Sequence, residues 1–290
     1  MIKTATSLIQ GFLLTAALLA TGPANAGDVP ERILSVGGAL TETVYALEAG
    51  EKLVGNDTTS TFPDAARALP KVGYQRALSS EGILSLAPDH LFMTDEAGPP
   101  PVLAQLKALK LPMTVIPAGR SLEDVKSTVR TIAKVIDKEQ TAEELIHSIA
   151  RDERKLAEKN QAVTKPKRVL FILQHAGGAP MAAGLSSAAS SIIELAGAQN
   201  AVQNYHGYKP LTPEALVEIQ PDALLLTSEG LAHTGGLESL LQTPGLALTP
   251  AVQNEQIIDM NALLLLGFGP RTAQAALQLH DALYAADSAQ

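Results

Sequence analysis

The sequence has no cysteine among its 290 residues. That absence excludes disulfide bonds, thiolate metal sites and a cysteine nucleophile. It also excludes the lipid-modified cysteine by which many exported proteins are tethered to a membrane. Tryptophan is absent too, and Phe, Trp and Tyr make up only 3% of the residues. A carbohydrate site built on stacked aromatic rings is therefore not expected.

Positive charge is scarce, with 22 Lys and Arg residues against 30 Asp and Glu residues and a net charge of −8. This balance argues against nucleic acid and against an anionic membrane surface as partners. A few basic residues lining a pocket still suffice to hold an anionic ligand.

The apolar run nearest the N-terminus is too short to cross a bilayer. Leu8 to Ala20 covers about 13 residues, whereas a membrane span takes roughly 20. Lys3 precedes the run, and Ala24-Asn25-Ala26 follows it with the small-x-small pattern that signal peptidase reads. We predict a cleaved signal peptide at residues 1–26, with an uncleaved anchor helix as the alternative. Without a cysteine for a lipid anchor, the mature chain is expected to be released into a periplasm.

The chain carries an internal repeat. Residues 79–94 and residues 212–227 share a glutamate (Glu81, Glu214), a Pro-Asp pair and a closing threonine, all at one constant offset. Ser79 or Ser80 and Thr212 are candidate N-caps, and the prolines forbid further helix before a short apolar strand. Each repeat therefore predicts a short helix, a Pro-Asp turn and a buried strand.

Each repeat follows an apolar strand and an amphipathic helix. Apolar strands that end in polar, glycine-bearing turns are predicted in residues 32–38 and 168–175, and helices at 41–48 and 187–195. Alternation of strands and helices predicts α/β lobes with parallel sheets. The segment 141–160 begins with a capping-box pattern, Thr141-Ala-Glu-Glu, and reads as one long helix. We predict a first lobe at 27–140, a rigid interlobe helix at 141–164 and a second lobe at 165–290, with an ordinary crossover helix as the alternative for 141–164.

Tyr74 and Arg76 are the first candidates for ligand chemistry. A neighbouring positive charge favours the phenolate form of a tyrosine, and phenolate suits ferric iron. The alternative is a packed surface aromatic. His175 follows the first strand of the second lobe, where its imidazole is either a metal ligand or a hydrogen-bonded loop residue. Arg271, at the start of the last helix, either clamps a carboxylate or faces solvent.

Glu81 and Glu214 have two readings as well. A carboxylate in the first turn of a helix is stabilised by the helix dipole, which suffices to explain either residue alone. The same carboxylate in both halves also suits docking onto a two-fold partner with basic pockets. No catalytic nucleophile motif or dinucleotide fingerprint is complete in the chain, so an enzyme is not expected.

Three motifs together resemble the periplasmic haem-binding proteins of bacterial haem ABC importers. They are Val72-Gly-Tyr-x-Arg-x-Leu-Ser-x-Glu-Gly-Ile-Leu-Ser-Leu-x-Pro-Asp89, Leu173-x-His-x-Gly-Gly-x-Pro-Met-x-Ala-Gly184 and Leu266-Gly-Phe-Gly-Pro-Arg-Thr272. These proteins belong to the family of binding proteins with a rigid interlobe helix, which also carry vitamin B12 and ferric siderophores. The resemblance covers essentially the whole mature chain and implies two Rossmann-like α/β lobes.

The resemblance also implies roles for residues. Tyr74 would be the axial ligand of transported ferric haem b in the interlobe cleft, and His175 matches a second ligand found in some members. Arg76 would stabilise the phenolate or pair with a propionate. In some relatives a second-lobe arginine bonds the ligand tyrosine; residues 229–236 contain no arginine, so His233 would take that place here.

Partners follow from the same resemblance. Glu81 and Glu214 would dock the two lobes onto an ABC haem permease dimer with its ATPase, so that the protein meets the inner membrane only through the permease. An outer-membrane haem receptor would supply the haem. The nearest alternative is a carrier of vitamin B12 or a ferric siderophore, and a more distant one is an exported α/β enzyme.

Overall fold

A computed structural model describes residues 29–174 and 180–285. The predicted signal peptide and His175 lie outside the described residues. The strands are β1 (Ile33–Val36), β2 (Leu53–Asn56), β3 (Gly73–Tyr74), β4 (Ala77–Leu78), β5 (His90–Thr94), β6 (Met113–Ile116), β7 (Arg168–Leu173), β8 (Met181–Ala183), β9 (Gln199–Asn200), β10 (Tyr208–Pro210), β11 (Ala223–Thr227) and β12 (Ile257–Met260).

Helices alternate with these strands. The α-helices are α1 (Gly38–Ala46), α2 (Asp64–Arg67), α3 (Ser80–Ser85), α4 (Pro100–Ala108), α5 (Leu122–Ile136), α6 (Glu139–Gln161), α7 (Ala188–Leu195), α8 (Pro213–Ile219), α9 (Ser228–His233), α10 (Gly236–Leu241), α11 (Pro250–Gln253), α12 (Ala262–Leu266) and α13 (Thr272–Tyr284), with 3-10 turns at Gly50–Lys52 and Leu246–Leu248. Within residues 29–174 and 180–285, none of them has both the length and the apolar character of a bilayer-spanning helix.

The first sheet has the order β2-β1-β5-β6 and is parallel throughout, as predicted. Every residue of β1 is buried because helices cover both faces of the sheet. Ile83 of α3 and Leu106 of α4 pack on the outer face. The inner face packs against α5, which begins with a capping box between Ser121 and Asp124.

The second sheet keeps the predicted parallel arrangement in most of its strands, but one antiparallel strand makes it mixed. Strands β9, β7, β11 and β12 are parallel, but β8 runs antiparallel to β7 and to β10. Only residues 174–180 join β7 to β8. A connection that short cannot hold the crossover that a parallel neighbour requires.

Both copies of the repeat form the predicted helix, Pro-Asp turn and strand. Ser79 Oγ accepts from Gly82 N at 3.1 Å, and Thr212 Oγ1 accepts from Ala215 N at 3.2 Å. The aspartates of the two Pro-Asp pairs both accept backbone amides from the start of a neighbouring strand. The distances are 2.8 Å from Glu31 N to Asp89 Oδ2 and 2.8 Å from Arg168 N to Asp222 Oδ2. Both Pro-Asp turns therefore join a helix to the amino edge of its sheet.

The predicted interlobe helix is α6, which has 23 residues and a length of about 35 Å at 1.5 Å per residue. It begins at Glu139, so the predicted capping box at Thr141 is wrong: Thr141 lies inside the helix. The preceding helix α5 ends at Asp137 in the left-handed conformation, and α6 starts almost at once.

A single apolar cluster connects the two halves. It contains Phe92 of the first sheet, Phe171 of the second, and buried residues of α5, α6 and α13. Because close-packed interiors resist deformation, a core shared in this way restricts the lobes to small relative movements.

Candidate functional site

Tyr74 lies at the carboxyl edge of the first sheet, on a small hairpin that brings Arg76 beside it. Strands β3 and β4 pair Tyr74 with Ala77, so Gln75 and Arg76 form the turn. Gly73 has φ +108°, and a Cβ there would lie 2.7 Å from the Ala77 carbonyl oxygen, so the hairpin requires glycine. Arg76 Nη1 donates to the Tyr74 hydroxyl oxygen at 2.6 Å, and 42% of Tyr74 remains exposed.

Two charged residues that the sequence analysis did not identify complete this cluster. Glu96 follows β5 and forms an ion pair with Arg76. Arg120 follows β6 and donates from Nη2 to Glu96 Oε1 at 3.1 Å. Both residues come from loops at the carboxyl edge of a parallel sheet, where ligands commonly bind in α/β folds. That position was the signal in the sequence that could have identified them.

The cluster carries a net positive charge and extends toward the second lobe. Partial burial lowers the pKa of Arg76, but the charges and hydrogen bonds of Tyr74 and Glu96 outweigh it and raise that pKa overall. Tyr208 of β10 comes from the second lobe. Burial raises its pKa, and it also lies within electrostatic reach of Arg120, Glu96 and Arg76. Tyr208 of the second lobe therefore lies near the cluster, with its ring packed edge-on against Phe171.

His233 is the last residue of α9 and is exposed. Its Nδ1 atom lies 2.6 Å from the Glu229 carbonyl oxygen, within the same helix. No hydrogen bond between His233 and Tyr74 occurs in the part of the chain that the structure describes. The Glu229 carboxylate accepts from Ala262 N at 2.8 Å and from the Asn261 side chain, which ties α9 to α12.

Arg271 forms a carboxylate clamp, but its partner is a residue of the first lobe. Its Nε and Nη2 atoms donate to the Glu42 carboxylate at 2.9 and 2.8 Å. Glu42 lies on α1 and is 4% exposed. The Arg271 guanidinium carbon also lies 3.5 Å from the centre of the Phe62 ring. Because Glu42 accepts from both of these donor atoms, Arg271 forms a contact between the lobes. The sequence had suggested that Arg271 contacts a ligand.

Next to this clamp the lobes touch closely at Gly38, the first residue of α1. A Cβ there would fall 2.6 Å from Leu263 Cδ1 of the second lobe and 2.5 Å from the Thr59 carbonyl oxygen. Gly38 therefore permits close packing between the lobes, beside a cavity of about 350 Å³ bounded by α1, α6 and α13.

Glu81 and Glu214 lie in the first turns of α3 and α8, and both are exposed. Hydrogen bonds from its own backbone amide and from the Thr212 side chain lower the pKa of Glu214. Within the described residues neither carboxylate forms an ion pair. Each repeat thus presents one exposed carboxylate that has no ion-pair partner in the part of the chain that the structure describes.

Comparison with known proteins identifies relatives along nearly the whole chain. A family model described as periplasmic binding protein matches residues 33–263. The solved structure of BhuT, a periplasmic haem-binding protein in complex with two haems, is 43% identical, with a TM-score of 0.83, and the match covers 88% of this chain and 98% of that one.

Two curated relatives are more distant. A vitamin B12-binding protein of Pectobacterium atrosepticum is 27% identical over 92% of this chain and 92% of its own. An uncharacterised ABC transporter substrate-binding lipoprotein of Bacillus subtilis is 24% identical over 88% of this chain and 80% of its own.

Proposed function

This chain belongs to the periplasmic binding protein family, and we propose that it captures ferric haem between its two lobes and delivers it to an ABC-type haem importer. The observation that carries the proposal is Tyr74, which is 42% exposed and whose hydroxyl oxygen accepts from Arg76 Nη1 at 2.6 Å, in a cluster near Tyr208 of the second lobe. The similarity to BhuT, a haem-binding protein, supports the same cargo.

The cluster suits haem for a simple electrostatic reason. A phenolate is a hard anionic ligand for ferric iron, and a neighbouring guanidinium stabilises it. Ferric haem also carries two propionates. Arg76 and Arg120 offer two positive charges against the one negative charge of Glu96, and the excess charge is available to stabilise the Tyr74 phenolate or to pair with a propionate. His175 follows β7 in sequence, and we propose it as a second iron ligand from the other lobe.

Vitamin B12 is the second candidate, favoured by the relative from Pectobacterium atrosepticum. A corrinoid brings its own axial ligands, so the phenol and guanidinium of Tyr74 and Arg76 would have no role in holding it. A porphyrin needs an axial ligand from the protein. The Tyr74 site therefore favours haem.

Absorption titrations test the proposal directly. The mature chain given haemin is expected to develop a saturable ferric haem spectrum, whereas calorimetry with cyanocobalamin should give no binding heat. Tyr74→Phe should abolish most of the spectral change. Tyr45→Phe is the matched control, because Tyr45 borders the cavity at α1, α6 and α13 and lies outside the Tyr74 cluster. Equal haemin binding by the two variants would remove Tyr74 from the site, and cobalamin binding without haemin binding would select the second candidate.

Location and partners complete the proposal. We propose export through removal of residues 1–26 and release into the periplasm, since the chain has no cysteine that could carry a lipid anchor. An outer-membrane receptor would supply the haem, and no catalytic step is proposed. Glu81 and Glu214 would dock the lobes onto the permease. Glu81→Lys combined with Glu214→Lys should block haem uptake by cells while haemin binding to the purified protein persists.

A further inference from the structure

Glu96 joins the two arginines of the Tyr74 cluster. Its Oε2 atom pairs with Arg76 Nη2, and its Oε1 atom accepts from Arg120 Nη2 at 3.1 Å. The side chain of a glutamate consists of two methylene groups and a carboxylate, which is the same chemical group as a propionate of haem. The cluster therefore already contains one propionate-like group, bound between two guanidinium groups.

Both arginines have an anchor that does not depend on Glu96. Arg76 Nη1 donates to the Tyr74 hydroxyl oxygen at 2.6 Å. Arg120 Nη1 donates to the Gly119 carbonyl oxygen at 2.8 Å. Departure of the Glu96 carboxylate would therefore leave each guanidinium tied by one hydrogen bond, with its Nη2 atom ready to donate to another carboxylate.

The Glu96 side chain can leave without a change in the backbone. It is 34% exposed, and the backbone on either side of it is fixed by hydrogen bonds that its carboxylate does not share. Asp95 N donates to Ile116 O at 3.0 Å, and Ala97 N donates to Thr94 O at 3.1 Å. A change of side-chain rotamer, which exposed residues make within nanoseconds, is enough to carry the carboxylate into water.

A haem propionate and the Glu96 carboxylate compete for one place. A carboxylate that bridges the two guanidinium groups in the same way must accept from the Nη2 atoms that bind Glu96. If it pairs with other donors of the same arginines, two carboxylates lie close together, and like charges repel at short range. Exchange of one carboxylate for the other keeps both ion pairs and avoids this repulsion.

We propose that Glu96 occupies the propionate position of the ligand-free protein and that a haem propionate displaces it. This inference rests on the proposed function and extends it to the selectivity of the site. The two ion pairs that Glu96 gives up oppose binding, so Glu96 lowers the affinity for haem. A porphyrin without a free carboxylate cannot replace these ion pairs, so the site selects porphyrins with free propionates.

Absorption titrations of the mature protein with haemin and with haemin dimethyl ester test this exchange. Glu96→Gln keeps the shape of the side chain and removes its charge. It should raise the affinity for haemin roughly three- to tenfold, because two partly exposed ion pairs no longer have to be exchanged. The ester has no carboxylate that could take the place of Glu96. The ratio of haemin affinity to ester affinity should therefore rise by the same factor.

Glu143→Gln is the matched control. Glu143 lies on α6 and forms an exposed ion pair with Arg130 of α5, so this variant loses the same charge at a site away from the Tyr74 cluster. Its ratio of haemin affinity to ester affinity should equal that of the wild type.

Three results separate the inference from the proposed function. Unchanged or weaker haemin binding by Glu96→Gln would overturn the inference, because Glu96 would then not compete with the propionate. An equal gain for haemin and its ester would also overturn it, because Glu96 would then act on the Tyr74 phenolate through its charge. Failure of the wild-type protein to bind haemin would instead overturn the proposed function.

Discussion

Replacing Arg271 should leave the buried Glu42 carboxylate without its ion-pair partner and destabilise the protein strongly. Glu42 is 4% exposed, and the two hydrogen bonds from Arg271, at 2.9 and 2.8 Å, are its contacts across the lobes. Arg271→Met keeps most of the side-chain volume but removes the charge. Breaking a buried pair from one side costs about 3–5 kcal/mol because the remaining charge is uncompensated. We expect the lower part of that range, since 25% of the Arg271 side chain is exposed.

A double-mutant cycle separates this effect from lost packing on Phe62. Replacing a buried ion pair by apolar residues of similar volume is often neutral. Glu42→Leu combined with Arg271→Met should therefore recover most of the stability that Arg271→Met loses. Urea unfolding followed by far-ultraviolet circular dichroism gives the free energies of unfolding. A loss of less than about 1 kcal/mol in Arg271→Met would refute the reasoning, because such a value is typical of a solvent-exposed pair.

Two further predictions follow from local geometry. Arg76→Gln should weaken haemin binding roughly 10- to 200-fold in absorption titrations, because the charge-assisted hydrogen bond from Arg76 to Tyr74 contributes about 1.5–3 kcal/mol. Arg67→Gln is the control: Arg67 forms an exposed ion pair with Asp64, so this variant should bind haemin like the wild type. Thr212→Ala should lower the free energy of unfolding by about 1 kcal/mol, because α8 loses its N-cap hydrogen bond. The same variant should raise the pKa of Glu214, which loses its hydrogen bond from the Thr212 hydroxyl. NMR titration of the carboxyl group measures this pKa, and an unchanged value would contradict the role of the hydroxyl.

The repeated helix–turn–strand units could be predicted from the sequence because the residues that determine each unit are close neighbours in the chain. Capping residues, Pro-Asp turns and short apolar runs act over a few positions, and Ser79 and Thr212 cap the predicted helices. The antiparallel β8 could not be predicted in the same way. Its direction depends on the length of the connection after β7 and on pairing with β10, which lies far along the chain.

The candidate site was predictable only in its local part. Tyr74 and Arg76 are two residues apart, so their pairing could be read from the chain. Glu96 and Arg120 join them only when β5 and β6 become neighbours in the sheet. The pairing of Arg271 with Glu42 spans both lobes, and nothing near Arg271 in the sequence identifies its partner.

Resonance Raman spectroscopy of the haem complex tests the central claim most directly. Excitation in the phenolate-to-iron charge-transfer band enhances tyrosinate ring modes only when a tyrosine oxygen binds the iron. The account predicts these modes in the wild-type protein and in Tyr45→Phe, and their loss in Tyr74→Phe. Wild-type haem complex without tyrosinate modes, or modes that persist in Tyr74→Phe, would contradict it.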